Sequence, residues 1–374
     1  MRHGFTTGSC AAAASKAAAF MLLFGTEKKN ISIITPKGLT YSPEILDIKR
    51  EDTKVSCSVI KDGGDDPDAT SGAHVCSEVS IVSRSEEGVT VTIDGGCGVG
   101  RVTKPGLDQP VGNAAINHVP REMIEKEVKD VCQAADFHGE LKVVISVPEG
   151  EEIAVKTFNP RLGIIGGISI IGTSGVVEPM SMQAILDTIK VELNQHKAQG
   201  YTCAAVSPGN YGLEYMKKAY NYDLDRSVKC SNFIGDTIDM AAELGFESML
   251  LTGNIGKLVK VAGGIMNTHS KEGDCRMEIM ASAALQEGVS PDVCLKVLDC
   301  VMTDEAIRLI DETGKKDAVM KRLMDKIMFF LRKRAGGRLE IECILYSSKY
   351  GELAKSEGAD KWLTLLVQDQ ERLI

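Results

Sequence analysis

Around Pro148 the spacing of apolar residues changes, and that change decides the architecture. Before it the chain runs in short alternating stretches, 31–34, 45–48, 55–60, 75–82 and 89–93, separated by Gly, Pro and Asp. Apolar and polar residues in alternation, with turn formers between the runs, are the pattern of half-buried antiparallel strands. A helix is expected over 9–24, stopped by Gly25, and a second over 120–135, before 141–147 returns as a strand. Residues 1–150 therefore read as an α+β domain. After Pro148 the units lengthen. A short helix at 151–158 is followed by buried apolar runs at 168–171, 202–206, 248–251 and 339–345. These alternate with helical patterns at 182–197, 211–220, 232–244, 274–287, 292–301 and 317–333. Strands alternating with helices imply a mostly parallel sheet covered on both faces, so 151–374 reads as a Rossmann-like, three-layer α/β domain.

A chain of 374 residues is long enough to bury two such cores. Its 52 acidic against 43 basic residues give a net charge of -9. With no dense Lys/Arg block, nucleic acid is excluded as a partner. A local basic pocket remains compatible with an acidic protein, because exposed charges more than about 8 Å apart are screened at physiological salt. Eleven cysteines without a C-x-x-C pair indicate neither a disulfide framework nor a zinc site, so no metal is expected and the compartment reads as reducing and cytoplasmic. Residues 2–24 have the outline of a signal peptide, but Lys16 interrupts the apolar run and no cleavage pattern follows; a folded helix is the better reading. No stretch is expected to span a bilayer, so no membrane partner is implied.

Several motifs could carry chemistry. Thr6, Thr7 and Ser9 place hydroxyls where an Ala-rich helix begins, and Ala11–Ala14 keep bulk away from that end. Such a start is either a capped, tightly packed helix or an anion site, with His3 close enough to join a ligand. The glycine-rich segment 94–100 lacks the helix that a dinucleotide fingerprint requires, so it reads as a hairpin or covering loop. Ser207-Pro-Gly209-Asn210-Tyr-Gly and Leu251-Thr-Gly253-Asn254-Ile-Gly echo each other, each following a buried strand and opening a helix. Flexible backbone and an amide at the carboxyl end of a parallel strand is where open α/β sheets bind ligands, provided the two strands are neighbours. The alternative is a pair of Asn-capped turns. Gly172-Thr173-Ser174-Gly175 follows another apolar run and is a candidate third wall.

Four carboxylates crowd the turn Lys61-Asp-Gly-Gly-Asp65-Asp66-Pro-Asp68 without the alternate spacing of a calcium loop. His269 sits in a Gly-flanked loop, 268–274, and is a candidate general base because imidazole titrates near neutrality. Lys271 and Arg276 beside it, and Arg161 in a proline-fixed turn taken as the joint between the halves, suit anionic groups.

Read together, Arg2-His-Gly-Phe-Thr-Thr-Gly-Ser-Cys-Ala-Ala-Ala-Ala14, Lys61 to Asp68, Asn159-Pro-Arg-Leu-Gly163 and Gly172-Thr-Ser-Gly-Val-Val-Glu-Pro-Met-Ser181 resemble the cobalt-precorrin-5B C1-methyltransferase family, of the CbiD type. Ser71 departs from the pattern, which leads one to expect Thr or His there. The resemblance implies transfer of a methyl group from S-adenosylmethionine to C-1 of a corrinoid in anaerobic cobalamin synthesis, with cobalt present only as part of the substrate. Gly172, Thr173, Ser174, Gly209, Asn210, Gly253 and Asn254 are then expected to hold one ligand, taken as the methyl donor. His3, Thr6, Thr7, Ser9, Lys61, Arg161, Lys271 and Arg276 would meet the corrinoid, and His269, Asp65 and Asp66 would move a proton. A homo-oligomer and transient contacts with neighbouring pathway enzymes stay open. So does a non-catalytic corrinoid carrier, which would have no use for a methyl donor; a nicotinamide oxidoreductase would need a fingerprint that is missing.

Overall fold

The computed structural model describes residues 2–179, 181–209 and 213–372, which divide into two compact units, Met1–Ser181 and Met182–Ile374. The first opens on β1 (Gly4–Phe5) and α1 (Thr7–Phe24). Alanine gives up no side-chain entropy in a helix, so the run from Ala11 onward needs only to be started and stopped. Thr6 starts it by accepting the Ser9 N–H at 3.2 Å. Gly25, at φ 70°, stops it by donating back to Met21 O. Because Thr6 rather than a later hydroxyl is the cap, the helix begins ahead of its expected start.

Ala11–Ala14 and Ala17–Ala19 are fully buried, and the helix packs against strands β5 and β6 and helix α2 described below. A helix without bulk or a polar stripe can be enclosed on every side. One expectation needs correcting: α1, with 18 residues and a mean hydropathy of 1.3, is by length and composition apolar enough to cross a membrane. Yet 72% of it is buried inside the unit, and its Lys16 is tied to Glu127 at 2.7 Å and to Ser32 O at 2.9 Å.

After the hairpin β2 (Ile33–Ile34) and β3 (Thr40–Tyr41) come β4 (Leu46–Arg50), β5 (Lys54–Ile60), β6 (His74–Arg84), β7 (Val89–Gly95), β8 (Gly98–Val99), β9 (Arg101–Val102), α2 (His118–Ala134) and β10 (Gly139–Ser146). The sheet order is β4-β5-β6-β10-β7. Its pairs are antiparallel except β7 with β10, which run parallel. Alternation identifies strands but not their direction; α2, lying between β7 and β10 in the chain, supplies the crossover that a parallel pair needs.

Next follow α3 (Gly150–Ala154), β11 (Ile164–Ile165), β12 (Gly167–Ile168) and β13 (Val176–Val177). They belong to the first unit: β11 pairs with β9, β12 with β8 and β13 with β1. The division therefore falls after Ser181 rather than at residue 150. The Asn159–Gly163 turn is no joint between halves, since Gly163 O accepts both the backbone N–H and the hydroxyl of Thr103. The glycine-rich segment 94–100 is a place where backbones cross at close range. A Cβ on Gly98 would stand 1.7 Å from Val147 O, and one on Gly100 2.4 Å from Ile164.

The second unit runs α4 (Met182–Ala198), β14 (Cys203–Ser207), α5 (Leu213–Tyr220), β15 (Val228–Lys229), α6 (Ile234–Glu243), β16 (Ser248–Asn254), α7 (Ile255–Val261), α8 (Arg276–Gln286), α9 (Pro291–Leu298), α10 (Thr303–Asp311), α11 (Lys316–Ala335), β17 (Glu340–Ser347), β18 (Gly351–Lys355) and α12 (Ala359–Arg372). Strand order is β15-β14-β16-β17-β18, parallel up to β17 and antiparallel for β18. Met249, Leu250, Leu251, Ile344 and Leu345 are all buried, the unbroken apolar run of strands covered on both faces. Helix α11 packs on β17 and β18, and α12 on β14, β16 and β17.

The enclosure of α1 yields a test. Replacing the fully buried Ala14, whose carbonyl also accepts from Cys57 Sγ at 3.2 Å, by Leu should cost about 1–3 kcal/mol through overpacking. Urea denaturation followed by circular dichroism reads it; an unchanged midpoint would show that the helix is loosely held.

Candidate functional site

Chemistry-bearing residues gather at two places, one within each unit. In the first unit they surround the start of α1. Strand β1 leans on β13, with Gly4 opposite Val177 and Phe5 opposite Val176. On its other side Phe5 N donates to Asp62 O, and Asp65 N to Arg2 O. Glycine is required at this contact. A Cβ on Gly4 would lie 2.2 Å from Gly63 C, and one on Gly64, at φ +67°, 2.3 Å from Arg2 O. The N-terminal turn, the Asp-rich turn and the 172–175 turn thus form one cluster.

Within it the helix start is not open to an anion. Gly8 N donates to Ile171 O, Ser9 N to Thr6 Oγ1 and Cys10 N to Thr6 O. Thr7 Oγ1 bonds Ile171 O at 3.2 Å and accepts Ile171 N at 3.0 Å, while Ser9 Oγ donates to Gly175 O at 2.7 Å. Thr6, Thr7 and Ser9 are buried, so their hydroxyls serve the fold and the expected anion site is filled by the chain itself. Gly172, Thr173 and Ser174 are also corrected. They follow the short parallel pairing of β12 with β8 in the first unit and are no part of the second unit's sheet. A Cβ on Gly172, at φ +140°, would meet Thr6 Oγ1 at 2.2 Å, and Ser174 O accepts Lys37 N.

What this cluster presents to solvent is charge. The Arg2 fork clasps the Asp62 carboxylate, and Arg2 N donates to Asp65 Oδ2 at 2.6 Å. Arg2, followed by the Gly64 N–H, holds the Asp62 carboxyl below its ordinary range. Lys37 pairs with Glu178, and with a smaller contribution from His3 it lowers that carboxyl too. His3 and Asp65 are exposed and Asp66 is partly so. Lys61 is buried and bonds Asp68 at 2.5 Å. Burial pushes the Asp68 carboxyl up, but Lys61 and Thr70 outweigh it and hold it below its usual value.

The second gathering lies at the carboxyl edge of the unit-two sheet. Numbered within the unit, the strand order reads 2-1-3-4-5, and the chain reverses its direction of travel between β14 and β16. That reversal is where open α/β sheets bind ligands. β14 and β16 are neighbours in register, Val206 opposite Leu251. The condition on the paired Gly-Asn turns is therefore met. Gly209 has φ +153°, and Asn254 caps α7 by accepting Gly256 N at 2.8 Å while its amide faces Ser348 Oγ at 3.5 Å. Asn210 lies outside the described residues.

The His269 loop is anchored at the same edge. Thr268 N donates to Asn232 O just after β15, and the buried Lys260 of α7 donates to Thr268 O at 3.2 Å and Gly273 O at 2.9 Å. His269 and Lys271 are exposed, and His269 Nδ1 accepts Lys271 N at 3.1 Å. That bond engages Nδ1 with the backbone of its own loop. Arg276 spends its fork on Asp274, so the expected clamp on a ligand carboxylate is taken by a neighbour. Arg161 remains in the first unit, on the turn whose backbone O accepts Lys104 Nζ at 3.3 Å.

Sequence reasoning missed Lys257, whose Nζ reaches Pro208 O at 2.7 Å and Ser231 O at 3.0 Å. Its one legible signal was its place three residues after Asn254, on the turn of helix that follows the Gly-Asn motif. A surface hollow of about 430 Å³ lined by Glu287, Lys321, Arg322 and Phe329 contains none of the expected residues, and Arg322 is committed there to Glu287.

A sheet of this order makes the second unit an open α/β fold, a class whose ligands enter at the reversal point. Family models agree on something more specific: residues 1–179 match CbiD and 267–357 match the CbiD C-terminal domain. Curated relatives named cobalt-precorrin-5B C(1)-methyltransferase include those of Ruminiclostridium cellulolyticum, 46% identical over 94% of this chain and 91% of the relative, and Alkaliphilus metalliredigens, 45% identical over 98% and 95%. That of Thermoanaerobacter sp. is 44% identical over 97% of each. A solved structure of the cobalamin biosynthesis protein CbiD from Archaeoglobus fulgidus is 28% identical, covering 75% of this chain and 83% of that one, with a TM-score of 0.38. The chain belongs to the CbiD family.

The Lys61–Asp68 pair gives a pH test. A carboxyl depressed on folding contributes stability that is present above its unfolded value of about 3.9 and is lost as pH falls through the lower folded value. Lys61→Met should remove that acid-side loss. At neutral pH it should also destabilise the unit by somewhat less than the ~3–5 kcal/mol of a fully buried pair, because Asp68 keeps 25% of its side chain exposed. Urea midpoints between pH 3 and pH 7 measure both; parallel curves for the two proteins would refute the assignment.

Proposed function

We propose that this protein methylates C-1 of cobalt-precorrin-5B, with S-adenosylmethionine as donor, to give cobalt-precorrin-6A. The observation that carries the reading is family membership over nearly the whole chain, at 44–46% identity to enzymes of that name. The ligand-ready edge of the second unit supports it. The donor brings an already activated methyl on a sulfonium, so the protein's task is to hold two ligands in line and keep water out.

In this reading the donor occupies the reversal between β14 and β16. Gly209 and Gly253 let backbone approach it, and Asn210 and Asn254 supply amides. The residues fit such a ligand: the edge offers glycine backbone, the Asn254 amide and the Lys257 ammonium, which has no acidic partner among the described residues. The corrinoid meets the charged surface of the first unit, where His3, Lys61, Asp65 and Asp66 are grouped. Lys61 acts there through Asp68, by fixing the Asp-rich turn. Thr6, Thr7 and Ser9 act by holding Gly172, Thr173 and Ser174 in place. Asp65, exposed, and Asp66, partly so, are placed to accept a proton released by the macrocycle, and His269 is the other base in this reading.

Lys271 in the second unit and Arg161 in the first keep their expected roles as cations for carboxylates. Arg276 would have to exchange Asp274 for one. A cytoplasmic location follows from the soluble substrates of this reaction. A corrinoid carrier is the less favoured reading, since the relatives are named for the methyl transfer itself.

Incubating the purified protein with cobalt-precorrin-5B and methyl-labelled donor, then locating the label by NMR, tests the reaction. Label at C-1 is expected; an unlabelled ring would leave the carrier. Asp65→Asn combined with Asp66→Asn should lower kcat about 10²–10⁴-fold if they transfer the proton, with KM for the donor little changed. Retention of full kcat would exclude them.

A further inference from the structure

Lys257 stands where the exits of three strands meet. It lies on α7, which follows β16, and its ammonium donates to Pro208 O beyond β14 at 2.7 Å and to Ser231 O beyond β15 at 3.0 Å. Those carbonyls fix its position and use two of its three protons, but they carry no formal charge. Among the described residues no carboxylate lies within ion-pair distance of it. The adjacent Cys230 provides no counter-charge either, since burial pushes its thiol up to about 12 and keeps it protonated. Lys260, one turn on, adds a second positive charge, and the nearest acid to that group is Asp274, at 3.7 Å.

Half-buried ammonium groups are normally paired, because withdrawing a charge from water costs more than neutral dipoles return. Desolvation accordingly holds the Lys257 ammonium below its usual value. Among the described residues only carbonyls meet this cation at the point where the sheet reverses direction, which suits the place to an anion.

We propose that Lys257 binds a carboxylate of the ligand that enters between β14 and β16. The proposal rests on the methyltransferase reading above, and the carboxylate has two sources in that reaction: the methionyl end of the donor and the acidic side chains of the macrocycle. In the first case the ammonium anchors the amino-acid end of the donor and leaves the sulfonium free to face the nucleophile. In the second it anchors the rim of the ring.

Equilibrium binding to the full-length protein separates these. The probes are S-adenosylhomocysteine against 5′-methylthioadenosine, which lacks the amino-acid carboxylate, and cobyrinic acid against its heptamethyl ester. Lys257→Met should weaken one of the two acids by about 10- to 100-fold, the range for a charge-assisted bond, and leave its uncharged counterpart unchanged. Which acid responds identifies the source. Lys257→Arg should retain most of the affinity.

Equal losses for an acid and its neutral counterpart would reduce Lys257 to a strap on the strand exits and overturn the proposal, as would four unchanged affinities. If Lys257→Met fails to fold, the wild-type protein still decides the matter. Raising salt should weaken the responsive acid and spare its counterpart, and an identical salt response for both would overturn the proposal. A wild-type protein that binds neither S-adenosylhomocysteine nor cobyrinic acid would defeat the methyltransferase reading itself.

Discussion

Backbone packed directly on backbone at the head of α1 is the contact on which the first unit depends. Gly4 lies against Gly63, Gly64 against the Arg2 carbonyl, and Gly172 against Thr6, each too close for a Cβ. Approaches of that kind exclude solvent from polar main chain, so every donor and acceptor must find a partner. The hydroxyls of Thr6, Thr7 and Ser9 are those partners. What looks in sequence like a row of ligand-binding hydroxyls is the fastening of three turns, and the charges that reach solvent, Asp65 and His3 among them, are carried on those turns.

The second unit solves a different problem. Its sheet buries a continuous apolar core, and at the strand exits Asn254, Lys257, Lys260 and Asn232 interlock loops that are distant in sequence. Lys260 makes the His269 loop part of that edge by holding the carbonyls of Thr268 and Gly273.

Periodicity made the principal strands of both sheets legible, because each is long enough to display its alternation or its unbroken apolar run. It failed for residues 151–181, where β11, β12 and β13 are two residues each and pair with β9, β8 and β1, far earlier in the chain. Pairings so short and so distant leave no local pattern, and the expected boundary fell too early in consequence. The Gly-Asn motif was visible in the sequence but Lys257 was not, because its bonds to Pro208 O and Ser231 O join loops that are distant along the chain. Arg276 misled for the converse reason: Asp274, two residues away, already fills its fork.

The pairing of β1 with β13 has a further consequence for biosynthesis. The residues at the head of α1 cannot complete their contacts until residues 171–177 have been made, since Gly8, Thr7 and Ser9 all bond to carbonyls in that later stretch. Non-local closure of this length is slow and leaves apolar surface uncovered in the interval. With a mean hydropathy of 1.3, α1 is apolar enough for a membrane or a chaperone to hold in the meantime. The strands that enclose it have to arrive before another apolar partner does.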